Sequence, residues 1–233
     1  MDEELIRKLR AQVADGARTL VGAGVLSASK HGNWSARIPG TDRILMTGSS
    51  LVNLAPEDLA VLSLDGQVLE GTVSSTSAEI IRMHTQIYIE RPEVGSVVHT
   101  HSPWATAFAV AGRPLDCFSE ALARLGSAEP IPVARYAPRG SDAAVGNIVE
   151  AMQSSPSQRA VLLENHGILA WGQDVGAAQG MVFALEETAQ LAVLASAIGT
   201  PKAIPTHMAL AAQQRRREFE AAGTARGRTP GTS

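Results

Sequence analysis

The segment Val97-Val98-His99-Thr100-His101 constrains this chain more than any other. Two β-branched residues that lead into an alternating His-x-His pattern predict a β-strand. Successive side chains of a strand point to opposite faces, so His99 and His101 share one face. Two imidazoles on one face of a rigid strand can chelate a metal ion. The alternative is a pair of core histidines whose ring nitrogens are satisfied by hydrogen bonds.

A third histidine, His166, stands in a similar setting far downstream. Leu162-Leu163 precedes it and Gly167-Ile168 follows it, so we expect it at a strand end or on the turn after one. Three neutral imidazoles around one divalent ion, with an open fourth position, are the pattern of a catalytic metal site. The two segments together predict that His99, His101 and His166 hold one metal ion.

Composition limits the class of protein and its partners. The chain has 233 residues, of which 45% are hydrophobic and 18% charged, as expected for a globular domain with a sizeable core. A net charge of -3 favours neither nucleic acid nor an anionic membrane as a partner. The acidic N-terminus is unlike a signal peptide, and no apolar run is long enough to span a membrane. With Cys117 as the single cysteine, we predict a cytoplasmic protein.

Hydrophobic periodicity predicts alternating helices and strands without an internal repeat. The predicted helices span 3–27, 80–90, 103–110, 141–152, 175–198 and 206–222. The predicted strands span 33–38, 43–47, 59–64, 67–69, 94–101, 131–133, 160–163 and 167–172. We therefore expect one α/β domain over 1–222 and a disordered tail over 223–233, which is rich in Gly, Thr, Arg and Pro.

Two hydroxyl-rich stretches are candidate anion sites. Thr47-Gly48-Ser49-Ser50 offers several backbone N–H groups without side-chain obstruction, although most such loops are only turns. The second stretch, 71–78, runs into Glu79 and a helix that Ser75, Thr76 or Ser77 is expected to cap. Glu79 then lies in the first helical turn, either as a carboxylate that stabilises the helix end or as a group of the anion site.

Four motifs occur together and in order. They are Gly32-Asn33-x-Ser35-x-Arg37, the serine-rich stretch before Glu79, His99-x-His101 and Asn165-His166-Gly167. From about residue 5 to residue 200 the chain resembles the class II aldolase/adducin family, which includes sugar-phosphate aldolases and epimerases. The resemblance implies one α-β-α layered domain with a central, largely antiparallel sheet. It also implies a Zn²⁺-type metal, with Mn²⁺ or Co²⁺ as alternatives, and a homotetramer with sites between subunits.

The resemblance also implies roles for particular residues. His99, His101 and His166 correspond to the metal ligands, and Glu79 corresponds to the acid/base. The positions at which the aldolases bind phosphate are Asn33, Ser49 and Ser50, with help from Thr76 or Ser77.

Three departures from the family pattern bear on the chemistry. The first loop usually reads Thr-Pro-Thr-Gly, whereas here it is Thr47-Gly48-Ser49-Ser50. The carboxylate usually lies four residues before a helix histidine, but Glu79 lies five before His84. On a regular helix this offset rotates Glu79 by about 100°, unless the helix start is shifted. Phe118 occupies the position of an aldolase tyrosine and brings no hydroxyl.

The resemblance implies a metal-dependent aldehyde-lyase that cleaves a small hydroxy-carbonyl substrate by retro-aldol reaction, through a metal-stabilised enediolate. A metal-dependent decarboxylase of the same fold is the close alternative, and a hydrolase that uses metal-bound hydroxide is a more distant one. A non-catalytic, adducin-like module is the alternative from another class. The long helix from Val175 carries few charges, and this also favours a homo-oligomer.

Overall fold

An eight-stranded sheet runs through the protein, in a computed structural model that describes residues 3–226. The strand order is β4-β3-β2-β1-β5-β8-β7-β6, and neighbours are antiparallel except β6 and β7. The strands are β1 (Gly32–Arg37), β2 (Arg43–Thr47), β3 (Leu59–Ser63), β4 (Val68–Glu70), β5 (Ser96–Thr100), β6 (Val133–Ala134), β7 (Ala160–Leu163) and β8 (Gly167–Gly172). The expected single, largely antiparallel sheet is confirmed.

Helices cover both faces of the sheet. They are α1 (Glu3–Gly22), α2 (Ser75–Ala78), α3 (Ile81–Glu90), α4 (Pro103–Val110), α5 (Glu120–Arg124), α6 (Asp142–Ser154), α7 (Val175–Ser196) and α8 (Thr206–Arg226), with a 3₁₀ turn at Pro56–Asp58. On one face α1, α4 and α7 pack around Trp34 and Val98, and on the other α3 and α6 pack against Val97 and Leu169. These are the α-β-α layers that the family resemblance implies.

Strand β5 lies near the middle of the sheet and is buried along its whole length. Val97 faces the α3/α6 layer and Val98 the opposite layer, as the two-residue period requires. His99 therefore faces the α3/α6 layer, and it pairs with Asn33 on β1 and Leu169 on β8. The sheet register thus places Asn33 beside the first histidine of the pair.

The helix predicted from Ile80 is interrupted at its start. Residues 75–78 form the short helix α2, and α3 begins only at Ile81. The N–H of Ile80 donates to Ser77 O at 3.2 Å and that of Met83 to Ile80 O at 3.1 Å, which are i to i−3 bonds rather than α-helical ones. The rotation of about 100° expected for a regular helix therefore does not apply between Glu79 and His84.

Several boundaries differ from the sequence prediction. Helix α1 ends at Gly22 rather than at residue 27, and Gly24 follows in a left-handed conformation with φ of 70°. Helix α8 continues to Arg226, and residues 227–233 of the predicted tail lie outside the described residues. None of the helices within 3–226 has both the length and the apolar character needed to cross a membrane.

Candidate metal centre and active site

The three predicted histidines converge at one end of the sheet. His99, His101 and His166 each offer a ring nitrogen, and these atoms lie within 4.8 Å of one another. The Nε2 atoms of His99 and His101 are 3.2 Å apart. Two nitrogens that bind one tetrahedral Zn²⁺ are separated by about 3.4 Å, given Zn–N bonds of about 2.05 Å. The cluster is therefore able to bind a divalent metal ion.

A backbone carbonyl fixes the orientation of His99. Its Nδ1–H donates to Ile168 O at 2.8 Å, which leaves the Nε2 lone pair facing the cluster. Gly167 makes this packing possible, because a Cβ there would lie 2.5 Å from Thr100 O and 2.9 Å from His101 Cδ2. The short Asn-His-Gly sequence thus brings β8 against the His pair as well as supplying a ligand.

The environment keeps the three imidazoles neutral at pH 7. Burial, followed by the nearby His166 and His101, lowers the pKa of His99 well below its usual value. Burial, with added effects of His166, His31 and Arg139, lowers the pKa of His101 to about 4. The pKa of His166 is lowered by burial first and by Arg139 second. Neutral imidazoles keep the lone pairs that metal ligation requires.

His166 lies on the turn between β7 and β8, as its apolar flanks predicted. Asn165 has a φ of 55°, a left-handed conformation that asparagine tolerates better than most residues. The backbone N–H of His166 donates to Leu163 O at 3.0 Å and closes the turn. Glu164 Oε2 accepts from the backbone N–H of Tyr136 at 2.7 Å, which ties the turn to the segment after β6.

Glu79 forms an ion pair that the sequence analysis did not predict. Arg139 Nε donates to Glu79 Oε2 at 2.6 Å, and both side chains are about half exposed. Arg139 also lines a small pocket with Tyr136, Glu164 and His166. Ser74 caps α2, because its Oγ accepts from the N–H of Ser77 at 3.2 Å. The helix for which Ser75, Thr76 or Ser77 was the expected cap is α3, and it begins after Ile80 without a side-chain cap. The carboxylate of Glu79 is thus held by a cation rather than by the helix end.

The two hydroxyl-rich stretches are in contact. Ser77 Oγ donates to Ser49 O at 3.2 Å, and the N–H of Ser74 donates to Gly48 O at 2.8 Å. Gly48 allows this approach, because a Cβ there would lie 2.4 Å from Thr72 O. The structure therefore brings together Ser49 and Ser77, which the sequence analysis placed at the same anion site.

The remaining candidates for the anion site differ in exposure. Ser50 and Thr76 are exposed, and Ser50 Oγ accepts from the N–H of Val52 at 3.1 Å. Asn33 lies beside the Thr47–Ser50 loop, since the neighbouring Trp34 N–H donates to Thr47 Oγ1 at 3.1 Å. The described contacts link Ser49 with Ser77, and the sheet register links Asn33 with His99.

A buried polar chain runs beneath Asn33. Asn33 Oδ1 lies 2.7 Å from His84 Nε2, and His84 Nδ1 lies 2.7 Å from Ser35 Oγ. Ser35 Oγ in turn lies 2.8 Å from the hydroxyl of Tyr88. Ser35, His84 and Tyr88 are fully or almost fully buried. In the sequence His84 serves only as a reference for helix phase, and no local pattern predicts these hydrogen bonds.

Phe118, the residue at the position of the aldolase tyrosine, packs against the apolar cluster of α1, α4 and α7. Its side chain carries no hydroxyl, so it adds no polar group near the histidines. The chain has only two tyrosines. Tyr88 is buried, whereas Tyr136 is 58% exposed and shares the small pocket with Arg139 and His166. Tyr136 therefore lines the same small pocket as His166.

A largely antiparallel sheet between two helical layers, with three clustered histidines at its end, defines an α/β protein with a candidate divalent-metal centre. The model of the class II aldolase and adducin N-terminal domain matches residues 11–193, most of the chain. The chain therefore belongs to this family, and the family and fold predicted from the sequence are confirmed.

Named relatives are sugar-phosphate aldolases. The chain is 31% identical to a 5-deoxy-D-ribulose 1-phosphate aldolase of Bacillus thuringiensis serovar kurstaki, over 86% of this chain and 92% of the relative. It is 33% identical to a 5-methylthioribulose-1-phosphate/5-deoxyribulose-1-phosphate aldolase of Rhodospirillum rubrum, over 84% and 86%. A solved L-fuculose 1-phosphate aldolase superposes with a TM-score of 0.80 at 26% identity, covering 90% of this chain and 96% of that one.

Proposed function

We propose that this protein is a metal-dependent class II aldolase that cleaves a carbon–carbon bond of a sugar-phosphate-like hydroxy-carbonyl compound. The observation that carries the proposal is the cluster of His99, His101 and His166, with Asn33 on the neighbouring strand. The aldolases to which the chain is similar cover most of its length, which supports the same reaction class here.

The three histidines are the proposed ligands of one divalent ion, with Zn²⁺ as our first choice and Mn²⁺ or Co²⁺ as alternatives. The donor set suits Zn²⁺, since all three ligands are imidazoles and the spacing of two of them matches tetrahedral coordination. When bound, such an ion supplies a Lewis acid that polarises a carbonyl oxygen and stabilises negative charge next to it.

The remaining proposed groups belong to the protein. Asn33, Ser49 and Ser50, with Thr76 and Ser77, are the residues proposed to surround the substrate phosphate, and Ser77 supports this site by donating its hydroxyl hydrogen to Ser49 O. In the cleavage direction, the substrate hydroxyl loses its proton as the carbon–carbon bond breaks, and the carbon that is left with negative charge gains one. Glu79 is the proposed acid/base, which takes up the first proton and returns it to that carbon, and Arg139 holds its carboxylate in place.

We also propose a homotetramer with active sites between subunits. Leu191, Leu194 and Ile198, at the end of α7 and just after it, are 48%, 53% and 92% exposed. Apolar surface of this kind is typical of an interface. A cytoplasmic location stays a prediction, and it depends on the single cysteine rather than on the fold.

The direct test is a cleavage assay on zinc-loaded protein. 5-Deoxy-D-ribulose 1-phosphate and L-fuculose 1-phosphate are the substrates to offer, because relatives are named for them. Retro-aldol cleavage of either ketose 1-phosphate yields dihydroxyacetone phosphate, which a coupled dehydrogenase detects. We expect its release to require metal.

The outcomes separate the alternatives. Release of CO₂ from a hydroxy acid, without aldol cleavage, would support the decarboxylase instead. Failure of the protein to bind metal or to turn over any substrate would support the non-catalytic module.

A further inference from the structure

His84 is a titratable side chain that the proposed reaction does not use. It is 0% exposed and lies on α3, below the end of the sheet that carries the metal cluster. Both of its ring nitrogens are engaged at 2.7 Å, one with Asn33 Oδ1 and the other with Ser35 Oγ. A buried imidazole with two short, well-defined partners is fixed in position and in tautomer.

The hydrogen bonds that join Asn33, His84 and Ser35 all have the same donor-to-acceptor direction. The side-chain oxygen of Asn33 only accepts, so Nε2 of His84 carries the hydrogen. Burial lowers the pKa of His84 to about 3, so the ring is neutral and its Nδ1 is an acceptor. Ser35 must then donate its single hydroxyl hydrogen to Nδ1.

The next link runs the same way. Because the hydroxyl hydrogen of Ser35 is already used, Tyr88 donates to Ser35 Oγ at 2.8 Å. The series of hydrogen bonds thus runs from Tyr88 through Ser35 and His84 to Asn33. Each bond has its donor on the Tyr88 side, and the last acceptor is the amide oxygen of Asn33.

We propose that His84 is a positioning residue that fixes the amide of Asn33, so that its NH₂ group faces the substrate anion. Asn33 is half-buried and shares a sheet face with His99, so its amide lies on the face of the sheet that carries this metal-cluster histidine. The inference rests on the proposed function in one respect, namely that the substrate carries a phosphate.

A fixed amide at Asn33 affects which substrates the site accepts. An amide that is free to turn presents either its oxygen or its nitrogen, and so accepts hydroxyl groups as well as anions. Once the oxygen is held by His84, Asn33 presents only N–H donors. A donor-only contact favours a group that is rich in acceptors, such as a phosphate dianion, over a neutral hydroxymethyl group.

Two substitutions at His84 test the positioning role, and both introduce an amide side chain that differs only in length. In His84→Gln the side chain is long enough for its amide N–H to replace Nε2–H toward Asn33. In His84→Asn the amide reaches the position of Nδ1 and keeps the contact with Ser35, but it is too short for Asn33. Inorganic phosphate is the probe, and calorimetry on zinc-loaded protein measures its affinity.

We expect His84→Gln to bind phosphate nearly as the wild type does, and His84→Asn to bind it about 3- to 10-fold more weakly, the effect of one ordered hydrogen bond. Zinc content should be equal in both variants. Tyr88→Phe is the control within the same chain, because it leaves the bond between His84 and Asn33 intact and should not alter phosphate affinity. Equal phosphate affinity of the Gln and Asn variants would overturn the proposal.

A second measurement does not depend on whether the variants fold. Nitrogen-15 NMR of the wild-type protein reports which ring nitrogen of His84 is protonated. We expect the Nε2–H tautomer, and the Nδ1–H tautomer would overturn the proposal because Asn33 would then have to present its oxygen.

Different experimental results would contradict this inference and the proposed function. If Asn33→Ala weakens phosphate binding but His84→Asn does not, the anion site stands and the role of His84 falls. If the wild type binds phosphate with the expected dependence on His84 but cleaves neither sugar phosphate, the positioning role stands and the aldolase proposal loses its support.

Discussion

Arg139 donates from Nε to Oε2 of Glu79 at 2.6 Å, across 60 residues of sequence. The ion pair joins the segment after β6 to the turn that separates α2 from α3. Exposed ion pairs of this kind add little stability, so its value lies in orienting the carboxylate. Because Arg139 also lowers the pKa values of His101 and His166, its charge acts on both the proposed acid/base and the proposed ligands.

Glu79→Gln should lower kcat by about 10²–10⁴, the usual contribution of a positioned acid/base. Metal content and melting temperature should stay close to the wild type, because Ser74 rather than Glu79 caps α2. Steady-state kinetics, metal analysis and thermal unfolding measure the three quantities. An unchanged kcat together with a lowered melting temperature would show that Glu79 has a structural role.

Removal of the His pair should remove the metal. In His99→Ala/His101→Ala two of the three ligands are lost, so we expect less than a tenth of wild-type metal content by atomic absorption and almost no turnover. His31→Ala is the matched control, because its ring lies 5.6 Å from that of His101 but is not part of the cluster. Full metal occupancy in the double variant would refute the assignment.

Ser49→Leu should raise KM for a phosphorylated substrate more than it lowers kcat. A phosphate contact made equally in the ground state and the transition state contributes uniform binding. Inorganic phosphate should compete with the substrate in the wild type and compete less well in the variant. An unchanged KM in a folded variant would argue for an unphosphorylated substrate.

Metal-free protein should lose stability on acidification. The folded-state pKa values of His84 and His101 are about 3 and about 4, and that of His99 is also depressed, against the usual histidine value of 6.5. Between these values the unfolded chain binds more protons, so the free energy of unfolding falls as pH falls below 6.5. Each fully buried histidine contributes up to about 1.4 kcal/mol per pH unit, and the partly exposed His101 contributes less.

Urea unfolding of chelator-treated protein at pH 7.5, 6.5 and 5.5 (about one unit apart) measures this effect. Burial raises the pKa of Glu186, whose carboxylate accepts from the N–H groups of Trp104 and Ala105. Among the described groups, Glu186 favours the folded state at low pH, whereas His84, His99, His101 and His166 oppose it. A midpoint that is independent of pH would contradict the expectation.

The protein should be a tetramer in solution. Light scattering at micromolar concentration should give about four times the chain mass of 24.4 kDa. Leu194→Glu, which places a charge on the exposed end of α7, should lower that mass because a buried carboxylate is costly. A wild-type mass near that of one chain would exclude the tetramer.

Local patterns were sufficient for much of the site. The two-residue period of Val97–His101 settles that both histidines share a face, whatever the rest of the chain does. The apolar residues around His166 place it at the end of a strand, and the order of the motifs identifies the family. Backbone geometry acts over a few residues, so these features follow from the sequence by itself.

Only the tertiary structure decided which side chains contact one another at the site. Asn33 pairs with His99 because β1 lies beside β5 in the sheet. His84 holds Asn33 because α3 packs under the sheet. Arg139 reaches Glu79 because the chain after β6 returns over the break between α2 and α3. These contacts join residues about 50 to 70 positions apart, and no local periodicity encodes the path of the chain between them.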